Sequence, residues 1–101
     1  MQRYALSVQE GRKPGQIYEL HQEVVTIGRV AGRSDIALGD RTMSPVHARF
    51  TRLGTGTYGI EDLGSANGTF LNGRVVPIST IRPLQDGDHL QFGDVVLVFR
   101  K

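Results

Sequence analysis

Three short polar segments hold the side chains best suited to chemistry. Residues 28–35 carry Arg29 and Arg33, residues 39–46 carry Arg41 and Ser44, and residues 64–69 carry Ser65, Asn67 and Thr69. Guanidinium forks, hydroxyls, an amide and the backbone N–H groups of interspersed glycines suit an oxyanion such as a phosphate. Arginine meets it bidentately, and the hydroxyl and amide donors take the remaining oxygens. The competing reading is a set of solvated turn residues that only cap the ends of sheets.

Other chemistries fit the residues less well. Ser44 and His47 are of nucleophile and base type, but on the entry to a strand their side chains are expected on opposite faces, and no third orienting group accompanies them. His21, His47 and His89 lack the spacing of a helical or finger-type metal site and are expected to be solvated or to brace loops. Asp86 and Asp88, flanking Gly87, read as turn chemistry rather than paired catalytic carboxylates. The chain has no cysteine, hence no disulfide, thiolate zinc site or cysteine nucleophile. No catalysis, cofactor or metal is therefore expected. Net charge is +2 with the basic residues scattered, and Phe50, Tyr58, Phe92 and Phe99 sit in strand-like runs, so nucleic acid is not the expected partner. Met1-Gln2-Arg3-Tyr4 has no apolar core of a secretory signal, and no run approaches the ~18 apolar residues of a membrane span. A cytoplasmic chain without a membrane anchor is the expectation.

The elements that must position these segments are strands. At 101 residues the chain is sized for one domain, 1–101, and 13 glycines are nearly double the usual ~7%, which implies many turns. Strand-like runs fall at 4–8, 16–20, 24–27, 36–38, 47–53, 57–62, 69–71, 75–78, 89–92 and 95–99, and no stretch places apolar residues at helical spacing. Asn72-Gly73, set between Phe70-Leu71 and Val75-Val76, predicts a two-residue hairpin turn. Asn67-Gly68 has no partner strand before it and predicts a shaped surface loop. This many short strands must bury a face between two layers, so the spacing predicts an all-β, two-sheet β-sandwich of about eleven strands. The three polar segments are expected together at one end.

The blocks Gly28-Arg29, Ser34-Asp35-Ile36-Ala37-Leu38, Ser44-Pro45-Val46-His47-Ala48 and Asp62-Leu63-Gly64-Ser65-Ala66-Asn67-Gly68-Thr69-Phe70-Leu71-Asn72-Gly73 resemble, in order and spacing, the forkhead-associated (FHA) domain. The late run Leu84-Gln85-Asp86-Gly87-Asp88-His89-Leu90-Gln91-Phe92-Gly93-Asp94 resembles that family's closing hairpin region, so the likeness covers nearly the whole chain. The resemblance implies an eleven-stranded sandwich that binds phosphothreonine peptides in Ser/Thr kinase signalling, its partner being a phosphorylated protein, a kinase or a kinase substrate. By that resemblance Arg29 and Ser44 contact the phosphate and Asn67 bonds the peptide backbone. Thr42 reads a side chain a few residues beyond the phosphothreonine. Gly28 and His47 are architectural, the histidine bracing the loop that carries Ser44; Gly68 and Thr69 are further structural positions, and Arg33, Arg41 and Ser65 further peptide contacts. Two places depart from the family's habit: Pro45-Val46 replaces a basic or amide residue, and Ala66 replaces a hydroxyl residue. Both remove donors, at about 1.5–3 kcal/mol for each hydrogen bond to a charged group. The alternative is a degenerate FHA domain that mediates protein–protein interaction without phosphate.

Overall fold

The computed structural model describes residues 3–101; Met1 and Gln2, part of the expected 1–101 domain, lie outside the described residues. Alternation sets the first strand, β1 (Tyr4–Glu10), where Tyr4, Leu6 and Val8 point into the core. It is followed by β2 (Ile17–Leu20), β3 (Val24–Gly28), β4 (Ile36–Ala37), β5 (Ala48–Leu53) and β6 (Thr57–Asp62), then β7 (Thr69–Leu71), β8 (Arg74–Val75), β9 (Arg82–Pro83), β10 (His89–Phe92) and β11 (Val95–Arg100). One sheet has the order β2-β1-β11-β10-β7-β8 and the other β4-β3-β5-β6-β9. Phe50, Tyr58, Phe92 and Phe99 are fully buried between them, as the strand runs predict. No helix among the described residues is long and apolar enough to cross a membrane.

Register decides which loops meet. Ile27 of β3 pairs with Ala48 of β5, and Ala48 pairs with Asp62 of β6, so loops 29–35, 38–47 and 63–68 leave the second sheet side by side. Phe92 of β10 pairs with Thr69 of β7, which brings the turn at 93–94 to the same end. The turns at 21–23, 54–56, 72–73 and 86–88 close the other end.

Three features differ from the alternation pattern. The short run at 36–38 pairs with β3 in parallel, Ile27 with Ile36, because the intervening loop returns the chain to the same end. The run expected at 75–78 leaves its sheet after Val75: Val76 turns into the core, Pro77 has no N–H for the ladder, and the chain crosses to the second sheet as β9. All six residues of β6 are buried: the Thr57 hydroxyl donates to the Leu84 carbonyl, Glu61 pairs with Arg49, and Ile81 lies so close over Gly59 that a side chain there would strike it. Asn72-Gly73 forms the predicted hairpin turn, both residues at positive φ (50° and 82°) as a type I′ turn requires.

Candidate functional site

Gly28 ends β3 where the chain has no room for a side chain. A Cβ there would fall on the Pro45 carbonyl and the Ser34 hydroxyl, which are themselves joined by Ser34 Oγ donating to Pro45 O at 2.6 Å. That close approach lets the Arg29 N–H donate to the Ser44 carbonyl at 2.9 Å, and Arg29 Nε donate to the Met43 carbonyl at 3.1 Å. The guanidinium is thus anchored through Nε. Its two terminal nitrogens have no hydrogen bond among the described residues, and the side chain is exposed.

His47 joins two of the loops from beneath. Its Nδ1 accepts the Ser44 N–H at 3.1 Å, so Nε2 carries the proton and donates to the Gly68 carbonyl at 2.8 Å. The ring is fully buried and meets Phe92 edge to face, centroids 5.5 Å apart. Burial pushes its pKa down, offset only in part by the Gly68 carbonyl and by Asp62. The expectation that Ser44 and His47 face opposite ways is corrected here, because β5 begins only at Ala48 and the loop before it curls over the imidazole. What faces the ring is the Ser44 amide. The Ser44 hydroxyl is not presented to a base; its oxygen accepts the Ala66 N–H at 2.9 Å, which leaves its own proton to donate outward.

The third loop is built on Asp62, only 3% exposed at the end of β6. Its Oδ2 accepts the N–H groups of Gly64 and Ser65, each at 3.0 Å, while Oδ1 accepts the hydroxyls of Ser65 at 2.6 Å and Thr69 at 2.7 Å. Burial pushes the carboxyl's pKa up, but the hydrogen bonds from Ser65, Thr69 and Gly64 outweigh it and hold the group below the usual range. The Ser65 oxygen also accepts the Gly68 N–H at 2.9 Å, so this hydroxyl, expected among the peptide contacts, is engaged twice inside its own loop. Thr69 is fully buried. Asn67 remains exposed, and its Nδ2 donates to the Thr42 carbonyl at 2.8 Å, which leaves the amide oxygen free to accept.

Thr42 faces inward more than its expected role suggests. Its hydroxyl donates to Asp40, whose carboxyl is held below its ordinary pKa chiefly by that bond, and accepts the Asp94 N–H at 2.8 Å. Arg33 and Arg41 stand exposed on the neighbouring loops, without a hydrogen bond from either side chain among the described residues. The three loops therefore present arginine nitrogens, one hydroxyl proton and one amide oxygen on a rigid base, a donor-rich cradle for an anionic group with an acceptor beside it for a backbone N–H. Among the described residues no three His, Asp or Glu side chains converge as a metal site would need.

Asp62 and the Met43 carbonyl were not among the expected site residues. Asp62 had a signal, since a carboxylate two and three residues before Gly64 and Ser65 has the spacing of an Asx turn. A backbone carbonyl that orients an arginine has none.

The FHA domain model matches residues 25–93. The chain belongs to the FHA domain family. An oxoglutarate dehydrogenase inhibitor of Corynebacterium efficiens is 42% identical over 93% of this FHA chain and 63% of its own length. The chain thus spans about three fifths of that relative. The FHA domain of the CT664 protein of Chlamydia trachomatis superposes with a TM-score of 0.88 at 26% identity, covering 99% of this chain and 98% of that one. An FHA structure from a study of phosphothreonine-dependent FHA domain interactions superposes with a TM-score of 0.84 at 27% identity, covering 99% and 97%.

Proposed function

We infer that this FHA domain recognises phosphothreonine segments of a protein partner, a Ser/Thr kinase or its substrate, and turns nothing over. The observation that carries this is the pairing of Arg29 and Ser44: the guanidinium is fixed through Nε with its fork outward, and the serine oxygen is pinned by the Ala66 N–H with its proton outward. A phosphate brings about −1.5 to −2 charge and three acceptor oxygens to these donors. The Asn67 amide oxygen then takes a peptide N–H. Likeness to an FHA structure studied for phosphothreonine-dependent interactions supports the same reading. Ala66 gives up a hydroxyl, yet its backbone N–H positions Ser44, so the departure costs one donor rather than the site. Ser65 belongs with Asp62, Thr69 and His47 as a brace. We place the binding in the cytoplasm, where kinases have ATP.

A ¹⁵N-HSQC titration with a phosphothreonine peptide library, run beside the unphosphorylated library, tests the reading. Shifts confined to residues 28–34, 42–46 and 65–69 and seen only with phosphate are expected. The lost donors at Pro45 and Ala66 favour the second reading, an interaction module indifferent to phosphate. Equal shifts with both libraries would establish that one instead.

A further inference from the structure

The β1–β2 turn reaches the same end of the sandwich as the candidate site, because Glu10 pairs with Val96 next to the 93–94 turn. Between this turn and the β4 edge lies a groove of about 390 Å³ lined by Val8, Tyr18, Leu38, Val95 and, at the rim, Arg12 and Lys13. That volume suits a pair of peptide side chains or a small ligand. Its floor is apolar: Val8 and Val95 belong to the core, and the half-buried Tyr18 and Leu38 pack against it. Two glycines line it as well, Gly11 and Gly39, and a Cβ on Gly39 would press on Arg12 Nη1 at 3.2 Å. None of the lining residues is acidic, and two are exposed cations. Asp40, which feels the charge of Arg12, lies just past Gly39 with its carboxylate occupied by Thr42.

The groove is continuous with the phosphate cradle through a single residue. Arg12 Nη1 donates to the Gly39 carbonyl at 3.0 Å, and the Gly39 N–H donates to the Arg29 carbonyl at 3.2 Å. The segment that walls the groove, residues 37–39, runs directly on to Thr42 and Ser44. The geometry points to a second subsite here: the groove takes a flanking stretch of the same phosphorylated partner, in which a carboxylate side chain meets Arg12 and Lys13 and an adjacent aromatic or large aliphatic side chain packs on Tyr18, Leu38 and Val95. This deepens, and rests on, the phosphothreonine reading. It makes the recognised partner a phosphothreonine segment with an acidic-apolar pair alongside, and charge complementarity and apolar burial both act at the one place.

The test is a series of phosphothreonine peptides in which a Glu-Phe pair is walked through the positions on both sides of an otherwise Gly-Ser context, with affinities from fluorescence anisotropy. The parent protein should show one narrow window of positions where the pair tightens binding about tenfold over the plain phosphopeptide, a gain that shrinks as salt is raised. Lys13→Glu, which leaves the Arg12–Gly39 bond in place, should lose most of that gain, and Arg12→Glu/Lys13→Glu all of it. The plain phosphopeptide should bind Lys13→Glu as it binds the parent, and the gain in the double variant is read against that variant's own plain-phosphopeptide affinity. The subsite is overturned if no position gives a gain, if the gain survives both variants, or if a Lys-Phe pair does as well. Should even the plain phosphopeptide fail to bind the parent, the phosphothreonine reading falls and the subsite with it, a result distinct from binding without a position-dependent gain.

Discussion

The two ends of the sandwich are closed by different chemistry. At the end away from the site, turns are short and large aromatics do the closing: the rings of Tyr4 and Tyr58 meet edge to face at 5.2 Å, the Tyr58 hydroxyl donates to the Gln22 carbonyl at 2.6 Å, and that of Tyr4 to the Gly56 carbonyl at 2.7 Å. At the site end, loops are longer and small polar groups hold them, His47 between Ser44 and Gly68, Asn67 on Thr42, Asp62 beneath four donors. Each tyrosine hydroxyl donates once and has nothing left to offer but an acceptor. Arg29, Ser44 and Asn67 each spend part of their capacity on the protein and keep part of it outward. A binding end differs from a closing end, then, less in polarity than in how much hydrogen-bonding capacity is left over.

Arg29→Ala should separate the two ends most strongly. Its terminal nitrogens stabilise nothing in the described fold, so the variant should lose phosphopeptide affinity more than a hundredfold, to below detection by calorimetry. Its unfolding free energy should fall by only about 1 kcal/mol, for the lost Nε bond to the Met43 carbonyl. A matching fall in stability would make Arg29 a brace like His47. Asp62→Ala should do the reverse, losing about 2–3 kcal/mol in urea unfolding because four donors are left without their carboxylate. Affinity should weaken as a secondary effect, through the loosened Asn67 loop.

How far the sequence foretold these two roles differs between the ends of the motif blocks. The sandwich and the gathering of the three loops were legible, since period-2 runs and glycine turns at positive φ carry the register directly. Residue type alone offered Arg29, Arg33, Arg41, Ser44, Ser65, Asn67 and Thr69 alike for an oxyanion, and only the family resemblance singled out Arg29, Ser44 and Asn67. What the sequence did not disclose is direction. Ser65 and Asn67 are both small polar residues in a glycine loop, and only the position of Asp62 turns one inward and leaves the other out. The crossing of residues 77–81 to the other sheet was hidden for a related reason: Ile81 is a lone apolar residue between the runs, and nothing local says that it will lie over Gly59.

Two smaller effects separate the ends further. Asn67→Ala should weaken binding about tenfold, from the lost peptide bond and the freed Thr42 carbonyl, with stability nearly unchanged because both groups are exposed. Tyr58→Phe should cost about 1 kcal/mol of stability by stranding the Gln22 carbonyl and leave phosphopeptide affinity untouched. An affinity loss in that variant would show the two ends to be mechanically coupled.

Acid should act on the site end first, and the sign follows from His47. Burial holds its folded pKa below the ordinary 6.5, so between the two values the unfolded chain binds more protons than the folded one. The stability from the neutral ring is therefore fully present above pH 6.5 and is lost as pH falls toward the folded value, with a slope of at most about 1.4 kcal/mol per pH unit for one proton. The structural reason is that a protonated Nδ1 can no longer accept the Ser44 N–H. Asp62, held below 3.8, adds a second loss only when pH drops beneath that value. Urea melts of the free protein at pH 7.5, 6.5 and 5.5 isolate the first effect from titration of the phosphate itself, whose second pKa lies near ~6. Tyr58→Phe should show the same decline as the parent, displaced downward, whereas His47→Gln should show a flatter one. An unchanged slope in His47→Gln would assign the acid sensitivity to another group and leave the His47 bridge insensitive to pH.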